Sequence, residues 1–145
     1  IEIWIPYLSK LVGQADEDTY FVGHSIGCQA IIRYLQTLPP GTKIGGAVFV
    51  AGFLILSDAE TEEEKQIGKP WVETPIDFQK VKEHTDNFVS IFSDNDEVVP
   101  RENKEILEEK LGVRTILERN KGHFSGSDGV TELPSALGAV LEMAK

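Results

Sequence analysis

Thr19-Tyr20-Phe21-Val22-Gly23-His24-Ser25-Ile26-Gly27-Cys28-Gln29-Ala30-Ile31-Ile32 is the stretch that decides the fold. Its first four residues are aromatic or β-branched and predict a strand. From about Ile26 to Leu38 the chain reads as a helix, which Pro39-Pro40-Gly41 stops. Between the two, G-x-S-x-G makes a sharp strand-to-helix turn that lifts the Ser25 hydroxyl clear of the backbone. Such a turn strains the serine, and side chains at either flanking glycine are expected to collide with the neighbouring strand and helix. A bare G-x-S-x-G arises by chance in roughly 5–10% of chains this long. What lies around it decides its meaning.

Outward from this turn the chain alternates strands and helices. Trp4, Ile5, Leu8, Leu11 and Val12 recur at helical spacing, with Pro6 in the first turns where proline is tolerated. Ala47-Val48-Phe49-Val50 is a continuous apolar run, expected of a strand buried on both faces. Ser57 to Lys69 is acidic without a period and reads as an exposed excursion over the sheet's edge. Phe78 to His84 predicts a helix with Asp77 as N-cap, and Phe88 to Phe92 a third strand. Pro100 opens a helix carrying Ile106, Leu107 and Leu111 inward, and Val113 to Leu117 is a fourth strand. A polar loop, Asn120 to Gly129, precedes a last helix from Leu133 to Met143. The alternation predicts one α/β domain over residues 1–145, a doubly wound, mostly parallel sheet flanked by helices.

Composition narrows the function. With 145 residues the chain is long enough to bury a core without staples. Its net charge of −10 argues against nucleic acid and anionic membranes, which need a basic footprint. One cysteine forms no intrachain disulfide, so a reducing, cytoplasmic setting is expected. No apolar run approaches ~18 residues, and Ile1 to Pro6, with Glu2 and Pro6 and no basic flank, does not read as a signal peptide. Cys28 has no partner residues at zinc spacing, and neither a P-loop nor G-x-G-x-x-G is present. No metal or cofactor is expected.

Active sites of parallel α/β sheets form at the carboxyl ends of the strands. Ser25 follows the first strand, Asp94 and Asp96 the third, and His123 the fourth. The order Ser…Asp…His is that of the α/β-hydrolases. His123 is the expected base that takes the Ser25 proton and returns it to the leaving group. A carboxylate fixes its tautomer. Asp96 is preferred because Val98, Val99 and Pro100 seat its loop; Asp94 lies nearer the strand end, with capping of the turn at Asn95 as its competing role. His24 is read as structural and pointing away from the nucleophile, and His84 as part of a solvated helix face. The Ile26 N–H, at a helix N-terminus, is the expected oxyanion donor. Cys28 reads as a small buried hydrophobe. Phe53, Leu54 and Trp71 are candidates for substrate contact, with plain core as the competing reading.

These residues resemble the retinoblastoma-binding protein 9 family of small α/β-hydrolases along nearly the whole chain. The resemblance rests on Trp4-Ile5-Pro6, Gly23 to Gly27, Arg33-Tyr34-Leu35, Lys69-Pro70-Trp71, Asp96 to Pro100 and Gly122-His123-Phe124. It implies a Ser25, Asp96, His123 triad and serine hydrolase activity on small esters or amides. Family members carry roughly fifty more N-terminal residues, with a first strand and a Gly-rich loop that resembles a source of the second oxyanion donor. The chain is therefore expected to be N-terminally incomplete, or to have its Thr19–Val22 edge covered by a second chain. Leu-x-Cys-x-Glu, associated with retinoblastoma-pocket binding, is absent, since the cysteine stands in Ile26-Gly27-Cys28-Gln29-Ala30. A non-catalytic interaction module that keeps the fold is the alternative, its acidic Glu60 to Lys65 run docking a basic partner. The same triad acting on thioesters or peptides is a third reading.

Overall fold

The run ahead of Ser25 is strand β1 (Tyr20–His24), and helix α2 (Ile26–Leu35) starts at the next residue. A shorter helix, α1 (Trp4–Val12), precedes them. After α2 come β2 (Gly46–Val50), α3 (Glu62–Glu73), α4 (Phe78–Lys82), β3 (Phe88–Ser93), α5 (Glu102–Leu111), β4 (Arg114–Glu118) and α6 (Pro134–Met143). These elements come from a computed structural model, which describes residues 1–57 and 61–145.

The four strands form one parallel sheet in the order β1-β2-β3-β4. Every residue of β2 and β3 is buried, which is why β2 reads as an unbroken apolar run and β3 as one interrupted only by Ser90 before its closing Ser93. Helices α2, α4 and α5 touch in sequence and cover one face. Helix α6 packs against β2 and β3 and covers the other. Strand β1 is an edge among the described residues, and its pattern alternates: Phe21 and Gly23 are buried, Val22 and His24 exposed. Because all strands run the same way, their carboxyl ends bring Ser25, the Ser93–Pro100 loop and the Asn120–Gly129 loop to one rim.

From Glu62 onward the acidic excursion is a helix. Thr61 caps α3, accepting from the Glu64 N–H at 3.2 Å, while the Glu64 carboxylate accepts from the Thr61 N–H at 2.9 Å. Glu62, Glu63 and Glu64 then sit in the first turn, where the helix dipole favours them. Gly68 and Pro70 within the helix hid it from a periodicity reading. Glu60, the start of the acidic run singled out above, lies outside the described residues. The buried face of α3 brings three separate sequence segments together. Trp71 meets Trp4 edge-on at 5.4 Å between ring centroids. Arg33, 1% exposed, donates to the carbonyls of Trp71 at 2.6 Å and Thr74 at 2.7 Å, taking up the free carbonyls at the end of α3.

Candidate active site

Ser25 has φ 53° and ψ −120°, a region nearly reserved for glycine that costs of order 1–3 kcal/mol. Regular structure on both sides holds it there. Its N–H donates to the Val50 carbonyl at 2.9 Å, and its own carbonyl accepts from the Cys28 N–H at 3.0 Å. The two flanking glycines differ, which corrects the expectation of equal crowding. A Cβ on Gly23 would stand 2.9 Å from the Cys28 nitrogen and 2.9 Å from the Gly27 carbonyl carbon. A Cβ on Gly27 would meet nothing within 4 Å. Ile26 is the first residue of α2, so its N–H has no acceptor within the helix and is free for an oxyanion.

The structure brings Ser25, His123 and Asp96 together. His123 Nδ1 lies 3.0 Å from Asp96 Oδ2 and 3.3 Å from Oδ1, and its Nε2 lies 3.0 Å from Ser25 Oγ. A carboxylate only accepts, so Nδ1 carries the proton. Nε2 is left with a lone pair for the Ser25 hydroxyl. The Asp96 side chain is 3% exposed and that of His123 19%. Burial pushes the Asp96 carboxyl upward, but the His123 hydrogen bond, the Val99 and Val98 N–H groups and the His123 charge outweigh it. The net result is a carboxyl held below its usual range. Val98 and Val99 donate to Asp96 Oδ1 at 2.8 and 3.0 Å.

The loop carrying His123 is fastened residue by residue to the loop carrying Asp96. Asn120 N–H donates to Asp94 Oδ1 at 2.8 Å, Lys121 N–H to Ser93 Oγ at 3.0 Å, and Gly122 N–H to Asn95 Oδ1 at 2.9 Å. Ser93 Oγ–H donates in turn to Asn95 Oδ1 at 2.8 Å. Asp94 is thus a clamp on the histidine loop and lies outside the hydrogen-bonded chain of Ser25, His123 and Asp96. From the other side, Asp128 accepts from the His123 and Ser125 N–H groups, both at 3.0 Å. Asn120, Gly122 and Phe124 all have positive φ, so the loop is contorted and these bonds hold it.

Reasoning from sequence missed Ser93, Asn95 and Asp128, because their partners are distant in the chain or belong to a turn without periodicity. His24, read as structural, lies against the His123 loop, with ring centroids 4.9 Å apart. The reading of His84 is corrected. His84 is 1% exposed, and its Nδ1–H donates to the Thr42 carbonyl at 2.7 Å, closing the end of α4 over the core. Cys28 is fully buried and burial pushes its thiol far up, so it stays protonated and inert. Phe53 and Trp71 are core residues, and Leu54 is half-buried with its N–H donated to Asn103 Oδ1. A hollow of about 590 Å³ between Gly13–Glu17 and Leu38–Lys43 lies at the amino ends of the strands, away from Ser25.

A family model described as serine hydrolase matches residues 1–142. The YdeN protein of Bacillus subtilis (strain 168) is 31% identical over 134 residues, 92% of this chain and 68% of its own length. The serine hydrolase RBBP9 of Rattus norvegicus is 24% identical over 87% of this chain and 63% of its own length. The chain thus spans about two thirds of the length of these relatives. The crystal structure of the ydeN gene product superposes with a TM-score of 0.84 at 29% identity, covering 98% of this chain and 74% of that one. A carboxylesterase structure from Nitrososphaera gargenis shares the fold at TM-score 0.68 and 12% identity, covering 98% and 71%. The sheet, its helices and these likenesses make the fold an α/β-hydrolase fold, and the chain belongs to the serine hydrolase family.

Proposed function

We propose that the chain hydrolyses small carboxylic esters or amides through Ser25, His123 and Asp96, by way of an acyl-enzyme. The observation that carries this reading is the unbroken hydrogen-bonded chain from Ser25 Oγ through the His123 ring to the buried Asp96 carboxylate. Ser25 Oγ attacks the substrate carbonyl carbon while its proton passes to His123 Nε2. The carbonyl oxygen becomes an oxyanion facing the Ile26 N–H at the N-terminus of α2. Collapse breaks the bond to the leaving alcohol or amine, which takes the proton from Nε2. Water then repeats the sequence on the acyl-enzyme: its proton goes to Nε2, the carboxylic acid leaves, and Ser25 regains its proton. Asp96, ionised throughout, stabilises the imidazolium formed at each attack.

The net charge of −10 supports a small-molecule substrate over nucleic acid. Strand β1, with Val22 54% exposed on the sheet's edge, supports strand pairing there by another segment or a second chain. The reaction is tested with p-nitrophenyl acetate and p-nitroacetanilide. Turnover of at least one, with Ser25→Ala reduced by about 10⁴ or more, is the expected result. Equal turnover by Ser25→Ala and the parent chain contradicts it.

A further inference from the structure

His24 Nε2 lies 2.7 Å from the carbonyl oxygen of His123. A carbonyl only accepts, so Nε2 carries the proton and donates it. The two imidazoles also lie against each other, 4.9 Å between centroids and 48° between planes. This contact joins the two halves of the site by a path that does not pass through the reacting atoms. Ser25 follows His24 directly in the chain, so one strained turn presents the nucleophile and fastens the base.

The fastening matters because His123 sits between two residues of positive φ, Gly122 at 53° and Phe124 at 56°. Its ring is aimed by Asp96 and its N–H is taken by Asp128. Its C=O is the remaining polar handle, and His24 takes it. With that handle free, the peptide after His123 can rotate, and the ring swings relative to Ser25 Oγ. A shift of 1 Å in a reacting group costs up to about 10²-fold in rate.

We propose that His24 is a positioning residue that sets the His123 imidazole against Ser25 by holding the His123 carbonyl. This rests on the hydrolase reading above for its consequence, though not for its geometry. The test compares His24→Phe, which keeps an aromatic ring and loses the donor, with His24→Gln, whose amide N–H restores a donor at similar reach. Two readouts are taken on the same chain. One is the rate of labelling by a fluorophosphonate. The other is the downfield proton resonance of His123 Nδ1–H in its bond to Asp96, seen by nitrogen-edited NMR.

His24→Phe is expected to label about tenfold more slowly, the scale of one lost hydrogen bond, with the resonance broadened or lost. His24→Gln is expected to recover both to within about threefold of the parent. Parent-like rate and resonance in His24→Phe overturn the proposal, as does a His24→Gln no better than His24→Phe. If His24→Phe does not fold, His24→Leu against His24→Gln carries the same comparison. A parent chain that shows the resonance but does not label sinks the hydrolase reading alone. The resonance arm still decides the role of His24.

Discussion

The two segments that meet at Ser25 are built in opposite ways. The elbow from Gly23 to Gly27 is held by backbone: β1 pairs with β2, Ser25 N–H donates to Val50, and α2 follows at once. The loop from Asn120 to Gly129 has almost no regular structure, one 3-10 turn at Gly126–Asp128. It is held by side chains reaching in: Ser93, Asp94, Asn95 and Asp96 from β3 and the loop after it, His24 from the elbow, and Asp128 from within. The position of Ser25 is therefore tied to the stability of the fold, and that of His123 to polar contacts at the rim. Substitutions that press on the elbow's backbone should cost stability. Substitutions around the loop should cost more in rate than in stability.

The largest effect is expected at Asp96. Asp96→Asn keeps the shape but no longer stabilises the imidazolium, and kcat/KM should fall by about 10³–10⁴, with thermal unfolding at neutral pH lowered only by the loss of the carboxylate's own contribution. A loss under tenfold would show that His123 is not oriented by this carboxylate. The same variant tests the pH dependence of stability. The folded Asp96 carboxyl is held below its usual value, so its stabilisation is complete above the unfolded value of about 3.9 and is lost as pH falls through the lower folded value. Melting curves of the parent should steepen downward in that acid window, and those of Asp96→Asn should lack this component.

Gly122→Ala is next. Its φ of 53° disfavours a side chain, and a Cβ would stand 2.4–2.9 Å from the Asp128 carboxylate. Asp128 must then move, and it holds the His123 N–H. A loss of about 10–10² in kcat/KM is expected, together with the roughly 1–2 kcal/mol that a side chain at positive φ costs the fold. A large stability loss with little rate loss would mean that the loop belongs to the core, erasing the contrast.

The elbow side is tested by a matched pair. Gly23→Ala presses on backbone atoms of α2 and should cost about 1–3 kcal/mol in urea unfolding. Gly27→Ala, with open space around it and a helical position, should be neutral or gain up to about 1 kcal/mol. Equal costs at the two glycines would contradict the backbone account of the turn.

This division also explains what was legible in the chain. Strand runs such as Ala47–Val50, the breaker at Pro39-Pro40-Gly41 and the cap at Asp77 are local signals, and they placed the sheet, α2 and α4. Ser25, Asp96 and His123 were readable because they stand at strand ends in a fixed order. The clamps at Ser93, Asn95 and Asp128 were not, since each depends on a partner made near by folding or by an irregular turn. Helix α3 was hidden because Gly68 and Pro70 mask its period, although Thr61 and Glu64 spell a capping box. His84 looked solvated because its neighbours are polar; its buried bond to Thr42 spans the gap between two elements.

The central claim is that Ser25 is a nucleophile activated by His123. It is tested most directly by treating the folded chain with a fluorophosphonate and locating the adduct by peptide mass spectrometry. The account predicts one adduct, on the peptide carrying Ser25, abolished in Ser25→Ala and strongly slowed in His123→Ala. An adduct elsewhere, or labelling of Ser25 at the parent rate in His123→Ala, would contradict it.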